Sequence, residues 1–113
     1  MSIAGKIMDS QIKVIQPQGI FNNQTGNKLR QEVDEILAAD IKTILIDFQN
    51  VTVMDSSGFS ALLTTLKAVR KKNCRLVICS INEQVKMIFD MTNTNQFFEV
   101  IPNQASLISS NPV

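Results

Sequence analysis

The chain has 113 residues, 44% of them hydrophobic, a net charge of +1, and no histidine, tryptophan or tyrosine. This is enough for one domain with its own core, with no apolar run near the ~20 residues of a membrane helix and no charge excess that would mark nucleic acid as the principal partner. The missing histidine removes Ser-His-Asp and Cys-His nucleophile systems and most zinc sites, and the missing tyrosine and tryptophan argue against a platform for stacked bases.

Residues 3–8 read as a short edge strand, and Gln11 to Gln16 as a strand stopped by Pro17 and Gly19. Asn22, Asn23 and Thr25 supply caps for a first helix whose apolar stripe is Leu29, Val33, Ile36 and Leu37. Lys28–Glu32 and Arg30–Asp34 are i,i+4 pairs on its solvated side. Thr43 to Phe48 forms the next strand, and the unbroken Ile44-Leu45-Ile46 suits a central position in a parallel sheet. A second helix from Phe59 to Lys72 buries Phe59, Leu62, Leu63, Leu66 and Val69, and closes with Lys67, Arg70, Lys71 and Lys72 at its negative end. Arg75 to Cys79 is another buried strand. Cys74 and Cys79 fall on opposite faces at a spacing of five, as reduced packing residues rather than a disulfide. Asn82 caps a third helix carrying Val85, Ile88, Phe89 and Thr92 on one face. Phe97 to Ile101 reads as a last strand and Gln104 to Ser109 as a small terminal helix. Strands alternating with single helices give one α/β domain over residues 1–113, a small mixed β-sheet of four to five strands packed with about four helices.

The most informative stretch is Val51 to Leu63. Between the strand and the second helix stand Asp55, Ser56, Ser57 and Gly58, the residue types that open a helix. Either Asp55 or Ser56 can cap it, and one such side chain is enough. Three in a row followed by a glycine fit a first turn that another protein must reach. A serine there has an exposed hydroxyl near unpaired N–H groups and the positive end of a helix dipole, which tolerates a phosphate. No Gly-x-Ser-x-Gly elbow, Ser–Lys pair or glycine-rich phosphate loop accompanies it, so a serine enzyme and a nucleotide-binding enzyme are poor readings. No metal or cofactor is implied.

Met54-Asp55-Ser56-Ser57-Gly58-Phe59, after a strand ending in Asp47-Phe48 and before Leu62-Leu63, closely resembles the anti-sigma-factor antagonists of the STAS superfamily, which typically read Met-Asp-Ser-Ser/Thr-Gly-Leu here. Gly19 to Leu29 resembles that family's first strand-to-helix turn, and Val85 to Met91 its third helix. The resemblance implies that Ser56 is phosphorylated by a partner kinase that is itself the anti-sigma factor. The unphosphorylated protein would bind that kinase and release the sigma factor; phosphate would end the binding. ATP, base and metal would belong to the kinase, and a serine phosphatase would reset Ser56. Asp55, Ser57, Gly58, Asn22 and Phe21 would support the phosphosite and contact the partner. Asp55 either caps the helix or orients the Ser56 hydroxyl. Phe21 is either a partner contact or a plug in the core. Asn22 stands where the family often has aspartate, which makes this surface less acidic. Apart from the resemblance, the opening residues show no signal-peptide pattern, so the expected setting is cytoplasmic, without nucleic acid as a direct partner and without membrane insertion. The alternative is a STAS regulatory subunit of a transporter or sensory scaffold.

Overall fold

Ile44, Leu45 and Ile46 alternate between two covered faces of a parallel sheet, as their unbroken apolarity requires. The computed structural model describes residues 12–110, except for the side chains of 108–110. The expected strand at 3–8 lies outside them. In chain order the elements are β1 (Ile12–Ile15), β2 (Gly19–Phe21), α1 (Asn23–Ala38), β3 (Thr43–Asp47), β4 (Val51–Met54), α2 (Ser56–Lys71), β5 (Arg75–Cys79), α3 (Glu83–Met91), β6 (Glu99–Ile101) and α4 (Gln104–Ser110).

The main sheet runs β1-β3-β5-β6, and every pairing among the described residues is parallel. Ile15 aligns with Ile46, and Ile46 with Ile78. These side chains meet Leu29 and Val33 of α1, Leu62, Leu66 and Val69 of α2, and Val85 and Phe89 of α3 in the larger core. The opposite face is smaller: Leu45, Val77 and Cys79 pack with Leu107 of α4. The four helices and four-stranded sheet agree with the sequence-based expectation.

Two departures are informative. Glu99–Ile101 is shorter than the expected strand, because Phe98 leaves the strand path and stacks on Phe89 with ring centroids 4.9 Å apart. Thr92 does not join the apolar face of α3; it is exposed, and its hydroxyl donates to the Ile88 carbonyl at 2.6 Å. Arg70 and Lys71 stand in the last turn of α2, and Arg70 donates to the Phe97 carbonyl. Both cysteines are free, and burial pushes the Cys79 thiol up to about 11.

Asp47 fastens the C-terminal end of the sheet. Its carboxylate is 1% exposed and accepts from Gln16 Nε2 at 2.8 Å, Gln104 Nε2 at 2.7 Å and the Gln49 amide at 2.9 Å. Burial alone would raise its pKa. The hydrogen bonds from Gln104, Gln16, Gln49 and Ser80 together outweigh burial and hold the carboxyl below its ordinary value. One carboxylate thus joins β3 to the residue that follows β1 and to the first residue of α4.

Candidate functional site

A two-stranded parallel ribbon, β2 beside β4, carries the site. Sequence periodicity did not disclose it, since three- and four-residue strands are too short to show a period. The ribbon begins at Gly19, whose φ of +74° falls where side chains are disfavoured. Strand alternation then sets two fates: Phe21 turns inward at 0% exposure and Ile20 outward at 54%. Phe21 is therefore a core residue packed on Phe48, with centroids 5.2 Å apart, and not an exposed partner contact. Ile20 pairs in register with Val53, itself 37% exposed, so two apolar side chains lie together on the outside of the ribbon. Of the two alternatives for Phe21, the structure has the plug in the core, and its outward neighbour Ile20 is the side chain available for contact.

Both ribbon strands lead directly into helices. Asn22 caps α1 by accepting from the Thr25 amide at 3.1 Å, and the Thr25 hydroxyl donates to the Ile20 carbonyl at 2.8 Å. Asp55 caps α2 by accepting from the Gly58 amide at 2.8 Å. That resolves the choice of cap in favour of Asp55. Ser56 and Ser57 then occupy the first two helical positions, both exposed, and neither hydroxyl makes a hydrogen bond among the described residues. A free hydroxyl on the first turn faces the partial positive charge of the helix start.

Gly58 has a different role from the one its place beside the serines suggested. It is buried, and a Cβ there would lie 2.0 Å from the Phe21 carbonyl oxygen. Gly26 of α1 is confined as well, with its imagined Cβ 2.5 Å from Ala61 Cβ and 3.7 Å from the Gly58 backbone. The glycines let the starts of α1 and α2 and the end of β2 touch backbone to backbone. Gly58 supports the serine turn by close packing and is not a surface contact. The Asp55 amide completes the junction by donating to the Phe21 carbonyl at 3.2 Å.

Sequence reasoning missed one more participant. Gln84, in the first turn of α3, binds both backbone groups of Met54, the residue before Asp55. A glutamine near a helix start has many ordinary uses, so the sequence carries no signal for this contact. A groove of about 600 Å³, lined by Gln16, Gln18, Lys28 and Glu32 among others, includes none of Asn22, Phe21, Asp55, Ser56, Ser57 or Gly58. Among the described residues no cluster of three or more potential metal ligands occurs, and no helix is long and apolar enough to cross a membrane.

The STAS domain family model matches residues 7–107 of the chain. An anti-sigma F factor antagonist from Paenibacillus polymyxa is 22% identical over 99 residues, covering 87% of this chain and 85% of its own. Among solved structures, the anti-sigma factor antagonist SpoIIAA in its unphosphorylated form superposes with a TM-score of 0.75 at 15% identity, covering 91% of this chain and 90% of its own. SpoIIAA of Bacillus in its phosphorylated form gives a TM-score of 0.68 at 16% identity, covering 88% and 89%. The STAS domain of a SulP transporter from Vibrio cholerae gives 0.72 at 16% identity, covering 88% and 83%. At these identities the structural likeness is one of fold.

Proposed function

The chain belongs to the STAS domain family, and within that family we propose that it is a phosphorylation-gated anti-sigma-factor antagonist. Unphosphorylated, it binds an anti-sigma factor that is also a serine kinase and so releases the sigma factor. Phosphate on Ser56 ends that binding, and a serine phosphatase restores it. The observation that carries this reading is the Ser56 hydroxyl, exposed and without a hydrogen bond among the described residues, on the first turn of α2 beside the Asp55 cap. The relatives named for anti-sigma antagonism supply the partner class.

The chemistry asked of the protein is small. It presents a hydroxyl, while ATP, the metal and the base come with the kinase. Ser57 stands one position on in the same turn, and Asn22 lies at the neighbouring helix start. Ile20 and Val53 provide the apolar part of the contact. The protein itself turns over no substrate and works in the cytoplasm. A phosphate adds about −1.5 to −2 charges. The helix dipole accommodates that charge within the fold, whereas a docked surface meets it as repulsion and bulk. The switch therefore acts on the interface rather than by unfolding.

Phosphopeptide mapping with the partner kinase and ATP tests the assignment. One phosphate is expected, on Ser56. Ser56→Ala is expected to stay unphosphorylated and bound, and Ser56→Asp to bind more weakly than the original. Phosphate on Ser57 instead would overturn the assignment. The Vibrio cholerae STAS domain favours one other reading, a transporter-attached regulatory domain; its mark would be stable capture of a transporter with Ser56 unmodified.

A further inference from the structure

The outer edge of β4 is closed by side chains where another sheet would use a strand. β4 has β2 on one side only among the described residues. On the other side, Gln84 Oε1 accepts the Met54 N–H at 2.8 Å, and Gln84 Nε2 donates to the Met54 carbonyl at 2.9 Å. A primary amide offers one acceptor and two donors in a plane. Here it reproduces, at one register position, the paired donor and acceptor of a neighbouring strand. Asn82 extends the closure, its Nδ2 donating to the Val51 and Thr52 carbonyls at 3.2 and 3.0 Å. Its Oδ1 meanwhile caps α3 through the Val85 amide at 2.9 Å.

Met54 is 1% exposed and immediately precedes the Asp55 cap and Ser56. Without Gln84 its backbone groups would be buried beside an edge that has no partner strand among the described residues, a situation proteins avoid. The backbone would then exchange among conformers just where the acceptor turn begins.

Resting on the reading of Ser56 as phosphoacceptor, we infer that Gln84 is a positioning residue for that phosphorylation, assisted by Asn82. The amide clamp on Met54 pre-sets the Met54–Asp55 backbone, so Ser56 is offered to the kinase in one orientation. A loosened turn must be ordered during docking, and that cost falls on binding. Once docked, the hydroxyl reaches the same geometry, so the chemical step changes little. The signature is a raised KM with kcat preserved.

The test uses Gln84→Met, which keeps the side chain's length and removes both hydrogen bonds. The probe is the anti-sigma serine kinase purified from the same cells, with ATP, below the unfolding range of every variant. KM is expected to rise at least five-fold with kcat within two-fold, and the Met54 amide to exchange at least ten-fold faster while Leu45 and Ile46 of β3 exchange as before. Asn82→Ser keeps a cap for α3 but cannot reach β4, and is expected to raise KM by a smaller factor. Should Gln84→Met fail to fold, Gln84→Glu, which retains the acceptor for the Met54 N–H, takes its place with an expected KM rise of at least two-fold. An unchanged KM while the original chain is phosphorylated on Ser56 overturns the inference and leaves the functional proposal standing. A fall in kcat with exchange accelerated throughout β3 overturns it as well, by marking Gln84 as merely structural. Failure of the original chain to take phosphate on Ser56 overturns both.

Discussion

Replacing Gly58 by alanine sets two effects of opposite sign against each other. Helix propensity favours alanine over glycine by about 1 kcal/mol in a helix interior. Against this, the new methyl would lie 2.0 Å from the Phe21 carbonyl oxygen and 2.6 Å from its carbon. Those are backbone atoms at a junction where the Asp55 amide bonds the same oxygen at 3.2 Å. No rotamer change can relieve the contact; α2 must move away from β2. Overpacking of this kind costs about 1–3 kcal/mol, and occasionally more. With the backbone as the obstacle, the upper part of the range applies, leaving a net loss of about 2 kcal/mol. For a domain of this size that corresponds to roughly 6–12 °C in Tm. Urea denaturation at constant m reads it directly. A Gly58→Ala protein as stable as the original, or more so, would refute the close approach of α2 to Phe21.

Ile20→Ser is expected to weaken partner binding while changing stability by no more than about 0.5 kcal/mol, the usual scale for surface positions. Phe21→Leu is expected to do the reverse, costing about 1–2 kcal/mol of stability with little change in partner affinity at a temperature where it is folded; calorimetry and binding isotherms on the pair check both. Asp55→Ala removes the α2 cap and should cost about 1 kcal/mol in urea denaturation, whereas Asp55→Asn, which keeps a cap acceptor, should cost less. Asp47 has a folded pKa below its unfolded value, so its contribution is present above about pH 4 and is lost as pH falls through the folded value. Asp47→Asn should accordingly be less stable at pH 6 by about 2 kcal/mol, yet lose less further stability between about pH 4 and pH 2 than the original chain does.

What could be read from the sequence was what is local. The stripes Leu29-Val33-Ile36-Leu37 and Leu62-Leu66-Val69 each recur at helical spacing over about two turns, and the caps made by Asn22, Asp55 and Asn82 each close within three residues. The serine turn was legible for the same reason. The β2–β4 ribbon was not, because Val51 to Met54 is a strand only by virtue of Gly19 to Phe21, some thirty residues away. Gly58 looked like a matter of access because its constraint, the Phe21 carbonyl, is equally remote. Phe97-Phe98 read as strand since aromatic residues favour strands, but stacking on Phe89 claimed Phe98. Gln84 left no trace at all, since its partner is the backbone of a residue thirty positions earlier.

The central claim is that charge on Ser56 controls partner binding without disturbing the fold. The most direct measurement is the affinity of the kinase for the chain bearing a single phosphate on Ser56, compared with the unmodified chain at equal ionic strength, with Tm recorded for both. The account predicts at least a ten-fold weaker complex and a Tm within a few degrees, since the dipole at the start of α2 tolerates the charge. Equal affinity of the two forms, or a phosphorylated chain that releases its partner only because it has unfolded, would contradict it.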